Sequence, residues 1–208
     1  MQLTHPLDNI LNNEAKVRAL RILCDAHGEL SGRQIAKTAK VTPKTAHVIL
    51  QGFIKEGLLS MRVVGKTYLF RLNENKKISG LLKDLFAEEA ALSGQLLEEI
   101  VKSLKHSSLK DVILSVVLFG SIYVKTEGPS SDIDLLVIVK TAEDKKKVED
   151  FFFQIDESIS SKWGNPIAPY VNSLLEFRSK AKKKEGVIQD ILKSHQLIYG
   201  DRLEKLLR

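Results

Sequence analysis

Cysteine, proline and aromatic residues are scarce in this chain: one Cys, five Pro and one Trp in 208 residues, with aromatics at 6%. A single cysteine excludes an intramolecular disulfide framework, and Cys24 falls on the apolar face of a predicted helix, where a thiol packs as a small hydrophobe. No apolar run approaches the ~20 residues that a bilayer-spanning helix needs. The opening Met-Gln-Leu-Thr-His-Pro lacks the basic-then-apolar order of a signal peptide. These absences lead to the expectation of a cytoplasmic protein with no membrane segment. The histidines His5, His27, His47, His106 and His195 are scattered without metal-ligand spacing, which argues against a zinc site. Internal repeats and low-complexity segments are also lacking.

The composition itself, 43% hydrophobic and 28% charged, is that of a globular chain able to bury a core. Its length suits one large or two small domains. The net charge of +6 is uneven: residues 1–74 carry 11 Lys/Arg against 6 Asp/Glu, and residues 75–208 carry 21 against 20. Basicity is thus a property of the N-terminal third, which points to a polyanionic partner there.

Local patterns divide that third into three helices and a hairpin. A helix is predicted over about 9–27, with Val17, Leu20, Leu23 and Cys24 on one face and Gly28 as its C′ residue. Ser31-Gly32-Arg33-Gln34 fits a capping box opening a second, short helix. Thr42-Pro43 supplies an N-cap and an N1 proline for a third. Its apolar positions Ala46, Ile49, Leu50, Phe53 and Ile54 follow helical spacing. After Gly57 the period becomes two, through Leu59, Met61 and Val63 and again through Tyr68, Phe70 and Leu72, with Gly65 between: a β-hairpin. The segment Ser31–Leu72 resembles the winged helix-turn-helix domains of bacterial and archaeal regulators such as the MarR type. That resemblance implies a double-stranded DNA partner, with the third helix in the major groove. Lys44, Thr45, His47, Val48 and Gln51 would lie near base edges, and Arg33, Arg62 and Lys66 at phosphates.

Residues 75–107 are helical by pattern, and Ser93-Gly94 is expected to divide them. The expected organisation is a winged helix over 1–74, a helical segment over 75–94 that is either a connector or the dimerisation helix of a homodimer, and a second domain over 95–208.

The second domain contains the chain's densest motif. An apolar run ends in Val117-Leu118-Phe119-Gly120-Ser121; ten residues later comes Asp132-Ile133-Asp134, opening the aliphatic run 135–139. In a strand, residues i and i+2 share a face, so Asp132 and Asp134 project side by side. Two adjacent carboxylates repel unless a cation lies between them, and a hard divalent ion with oxygen ligands suits them. Gly120 permits close backbone approach to phosphates, and Ser121 offers a hydroxyl and an amide. Gly-Ser, ten residues, then Asp-x-Asp resembles the signature of the DNA polymerase β-like superfamily, in particular the minimal nucleotidyltransferases. Ile188 to Gly200, ending Leu197-Ile198-Tyr199-Gly200, resembles that family's closing segment, in which a helix runs into a Leu-Tyr-Gly end.

The resemblance implies an α+β chain: a winged helix-turn-helix followed by a polymerase β-like nucleotidyltransferase α/β domain with a mixed sheet. It implies Mg²⁺ held by Asp132 and Asp134 as metal ligands and catalytic carboxylates, and a nucleoside triphosphate, ATP by expectation, bound by Gly120, Ser121 and Lys125. The acceptor would be a protein side chain, a small molecule or an RNA end. One element of the pattern is missing. Active relatives take a third carboxylate from the next strand, and residues 166–173 contain none. Asn172 is the nearest oxygen ligand there, and Glu176 lies just beyond. The run Lys180, Lys182, Lys183, Lys184 reads as a solvated helix face. Two functions follow: a Mg²⁺-dependent transferase of nucleoside monophosphates, or a degenerate, nucleotide-sensing DNA-binding regulator.

Overall fold

The computed structural model describes residues 4–208 apart from 125, 127, 129 and 130. The chain forms two compact units, residues 1–92 and 93–208.

The first unit begins with α1 (Leu7–Ile10) and α2 (Glu14–Asp25). Asn13, whose side chain accepts from the Lys16 amide, starts α2, and the helix ends at Ala26. Gly28 does not have the left-handed conformation expected of a C′ residue. A two-residue strand β1 (Leu30–Ser31) precedes α3 (Gly32–Thr38), and the Ser31/Gln34 capping box is complete. Helix α4 (Pro43–Lys55) has Thr42 as N-cap and buries Ala46, Ile49, Leu50 and Phe53. Strands β2 (Leu59–Val64) and β3 (Thr67–Leu72) pair Val64 with Thr67 across a Gly65-Lys66 turn. Gly65 has φ +60°, which glycine adopts without the Cβ penalty. β1 completes a three-stranded antiparallel sheet of order β1-β3-β2. This is the winged helix-turn-helix arrangement.

Helix α5 runs unbroken from Lys77 to His106, through the Ser93-Gly94 pair expected to interrupt it. Residues 75–94, read as a connector, include Ile78, Leu82 and Phe86, which are buried with Leu20, Leu50 and Phe53 in the first unit's core. Leu96, Leu97, Ile100 and Leu104 are buried in a core of the second unit. Each end of the helix gains apolar burial, and this outweighs the ~1 kcal/mol that a mid-helix glycine costs relative to alanine.

The second unit continues with β4 (Ile113–Leu118), α6 (Gly120–Val124), β5 (Ile133–Val139), α7 (Asp144–Trp163), β6 (Ile167–Ser173), α8 (Leu174–Lys182), α9 (Gly186–Lys193), β7 (Gln196–Gly200) and α10 (Leu203–Leu206). The sheet order is β6-β5-β4-β7, with β5 and β6 parallel and the other pairs antiparallel, so the sheet is mixed. Pro169 is accommodated because β6 is an edge strand. Segment 196–200 is a strand and not the end of a helix. Gly200, at φ +80°, lies so close to β4 that a Cβ would stand 2.2 Å from the Leu114 carbonyl oxygen. Ile133, Leu135, Val137 and Val139 face α5 and α7. Leu136, Ile138 and Val117 face Phe177, Ile188, Ile191, Leu203 and Leu206.

Candidate functional site

Asp134 lies in register with the second of these faces, the one it shares with Leu136 and Ile138. The Phe119 amide donates to the Asp134 carbonyl at 3.0 Å, which ties the end of β4 to the start of β5. The chain then turns through Gly120 at φ +73°. A Cβ there would fall 2.0 Å from Asp134 Oδ2 and 2.8 Å from its Cγ. The glycine is required twice, by its backbone angle and by the carboxylate pressed against it. Ser121 follows, half-buried in α6, and exposed Asp132 lies one residue ahead of β5. Burial first, and the Asp132 carboxylate second, push the Asp134 carboxyl above the usual carboxylate range. Gly120, Ser121, Asp132 and Asp134 are therefore brought together; Lys125 lies outside the described residues. An apolar cleft of about 330 Å³ opens beside Gly120, lined by Phe119, Val124, Val187 and Ile191 with Asp190 and Ser194.

Two crowded carboxylates beside a glycine with no side chain fit a hard divalent cation bridged to phosphate oxygens. Among the described residues no group of three or more His, Cys, Asp or Glu could form an all-protein cage. The parallel register identifies the position at which a third acid would join them. Asp134 pairs with Ala168, whereas Asn172 pairs with Ile138, four residues further along β6. Asn172 is fully buried, and its Oδ1 accepts from Lys180 Nζ at 2.6 Å. Glu176 is also committed elsewhere. It closes a capping box with Ser173 at the start of α8 and pairs with Lys145 at 2.9 Å. The Ser173 amide, and then Lys145, hold its carboxyl below the usual range. Both side chains are thus engaged by other partners. Only the register could identify Ala168, and the register has no local signal in the sequence.

On the winged helix, Arg33, His47 and Lys66 line one cleft of about 520 Å³ between α4 and the hairpin, together with Pro43 and Tyr68. Lys44 and Thr45 are exposed on α4 and Gln51 is half-buried, outside that cleft. The Thr45 hydroxyl lies 2.9 Å from that of its N-cap, Thr42. Arg62 is exposed, yet its Nε donates to both Glu29 oxygens at 2.6 and 2.7 Å, so its charge is already paired. Tyr68, 54% exposed in the cleft, is the aromatic that alternation alone assigns to the hairpin and not to a surface.

The profile of the polymerase beta nucleotidyltransferase family matches residues 98–203, just over half of the chain. The chain belongs to that family, and its first unit adds a winged helix-turn-helix. No curated protein matches it in sequence. Among solved structures it is similar to the homodimeric winged helix-turn-helix DNA-binding domain of a possible ArsR-family transcriptional regulator from Mycobacterium bovis. Identity is 23%, with 45% of this chain and 81% of that one covered at a TM-score of 0.34. A toxin-antitoxin structure with AMP-PNP aligns at 18% identity over 53% of this chain and 80% of that one, TM-score 0.36. An archaeal chromatin protein aligns at 17% identity over 90% and 75%, TM-score 0.29. Among the described residues no helix is long and apolar enough to cross a membrane.

Proposed function

We propose that this protein binds double-stranded DNA through α4 and the hairpin, and binds a Mg²⁺-nucleoside triphosphate, ATP in the first instance, at Gly120, Ser121, Asp132 and Asp134. The nucleotide is the donor of a nucleoside monophosphate to a hydroxyl acceptor, with a protein side chain among the candidates. The observation that carries the nucleotide reading is the Gly120–Asp134 contact, where backbone and carboxylate approach closer than any side chain permits. Asp132 and Asp134 would hold the metal, which when bound neutralises their repulsion and the phosphate charge. Gly120 leaves the approach open, Ser121 offers a hydroxyl to phosphate oxygens, and the apolar cleft beside Gly120 offers the base a surface to pack on.

A second reading is favoured by Ala168. An alanine opposite Asp134 cannot supply the anionic base or the further metal ligand that activates an acceptor hydroxyl. General-base assistance alone contributes about 10²–10⁴-fold. On this reading the site senses a nucleotide and regulates DNA binding, with slow transfer or none.

One experiment separates the two. Labelled ATP and Mg²⁺ are incubated with cell extract and wild type, Asp134→Asn or Ala168→Asp. Transfer by wild type that is lost in Asp134→Asn supports the enzyme. Transfer seen only with Ala168→Asp supports the sensor. An extra rise in melting temperature that Mg²⁺ adds to that of ATP, and that is unchanged in Asp134→Asn, refutes the metal site itself.

A further inference from the structure

Lys180 is expected from sequence to be one of a run of solvated lysines, and it is not. Its ammonium lies 4.8 Å from the centroid of the Tyr170 ring, donates to the Tyr170 hydroxyl at 2.7 Å, and donates to Asn172 Oδ1 at 2.6 Å. Both acceptors are neutral. Among the described residues no carboxylate is within ion-pair distance of Lys180, and the one acid on α8, Glu176, is held by Lys145 and Ser173. The cluster therefore keeps an uncompensated positive charge.

It also keeps unspent donors. Tyr170 uses its oxygen as an acceptor, which leaves its own O–H to donate elsewhere. The Lys180 ammonium has three N–H groups and spends two. Asn172 is oriented by Lys180, because turning its amide over would set two donors against each other. Its Nδ2 is consequently buried with no partner. A buried unsatisfied donor is costly, about 1–3 kcal/mol, which here is the cost of fixing Lys180 in place; the third N–H of Lys180 and the Tyr170 O–H, both on partly exposed side chains, are the donors open to an anion's oxygens.

The register gives the cluster its context. Tyr170 pairs with Leu136 and Asn172 with Ile138, on the sheet face that carries Asp134. At ~3.3 Å per residue, Tyr170 begins roughly 7 Å along the strand from the Asp134–Ala168 pair. Lys182, Lys183 and Lys184 follow on exposed backbone and add positive potential.

We propose that Lys180 and Tyr170, with buried Asn172 orienting the ammonium, form an anion subsite for a phosphate-class group. Its assignment to the phosphates of the bound nucleotide rests on the nucleotide reading above; the subsite itself rests on its own donors. The same chemistry would accept free pyrophosphate or phosphate, and the test distinguishes these sources.

The full-length protein is titrated calorimetrically with inorganic pyrophosphate in EDTA, so that no divalent ion can bridge at the carboxylates. Wild type should bind saturably. Lys180→Gln should weaken binding by roughly 10- to 100-fold, the range for a lost charge-assisted hydrogen bond. Tyr170→Phe should weaken it several-fold, and Lys180→Arg should restore part of the loss. Melting curves of each variant establish that it is folded. With Mg²⁺ present, weaker ATP binding but unchanged AMP binding by Lys180→Gln assigns the subsite to the triphosphate. Unchanged ATP binding assigns it to free pyrophosphate or phosphate. Loss of pyrophosphate binding in folded Lys180→Gln, with no ATP binding by any variant, keeps the subsite and overturns the nucleotide reading. Equal pyrophosphate binding by wild type and Lys180→Gln, or none by wild type, overturns the subsite.

Discussion

At Gly120 a left-handed backbone and a carboxylate occupy the space of one missing Cβ. We expect Gly120→Ala to lose about 1–2 kcal/mol from the backbone angle alone, and more from displacing Asp134. Because the nearest atom is Asp134 Oδ2, the loss should shrink in an Asp134→Ala background, a non-additivity that urea unfolding of the two single variants and the double variant would measure. Asp134 itself is expected to destabilise the metal-free protein. Its folded-state pKa is raised, so folding favours the protonated form. The penalty is absent at low pH and grows as pH rises through the usual carboxylate range towards the raised value. Asp134→Asn should therefore raise the neutral-pH melting temperature without Mg²⁺. After solvent screening the effect is below about 1 kcal/mol, or no more than roughly 2–4 °C. An unchanged or lower melting temperature would contradict this account. Cys24 gives a simpler check: burial pushes its thiol up to about 11, so a thiol reagent at pH 8 should modify the native protein far more slowly than the unfolded one.

Helix α5 invites a test at the scale of an element. Gly94 is helical, and a Cβ added there meets nothing within 4 Å. Gly94→Ala should stabilise the protein by roughly 0.5–1 kcal/mol in chemical denaturation; a loss would show that the helix needs its glycine. The α8 cap behaves with the opposite sign to Asp134. The Glu176 pKa is lowered by the Ser173 amide and Lys145, so its contribution is full above the ordinary glutamate value of about 4.3 and fades as pH falls below it. Ser173→Ala should cost about 0.5–2 kcal/mol. Caps and periodicity are where the sequence was most legible. The Ser31/Gln34 box, the Thr42-Pro43 start and the hairpin turn at Gly65 each depend on residues within four positions of one another. What could not be read depended on distant partners. Strand β7 is recognisable only by its pairing with β4, some 80 residues earlier. The position opposite Asp134 is set by a β5–β6 register in which single-residue steps exchange the faces. Lys180 looks like any lysine in a basic run until Tyr170 and Asn172 are brought beneath it. Similarly, the motif defined Asp132 and Asp134 but could not say that the third strand presents Ala168.

For the whole molecule the uneven charge is the useful quantity. If DNA binding is electrostatic, as the excess of cations in residues 1–74 implies, affinity should fall linearly on a log–log plot against salt. Removing either cleft cation, by Arg33→Ala or Lys66→Ala, should lower affinity for all sequences and reduce the slope by about 1. Arg62→Ala should have a smaller effect, because Glu29 already neutralises that guanidinium. Fluorescence anisotropy at several salt concentrations would decide this, and equal effects of the three substitutions would count against the cleft as the contact.

The two sheets also differ in when they can form. The hairpin pairs Leu59 with Leu72, thirteen positions apart, so its strands can meet as soon as they leave the ribosome. In the other sheet Val116 is paired with Tyr199. From the time β4 is synthesised until residues 196–200 appear, its open edge exposes unpaired amides and carbonyls, with Val117 and Leu118 among their side chains. That interval is when a nascent chain would be most exposed to strand-to-strand association with another copy or to capture by a chaperone. Slowing translation between residues 140 and 195 should therefore lower the soluble yield of this protein more than slowing it within residues 1–72.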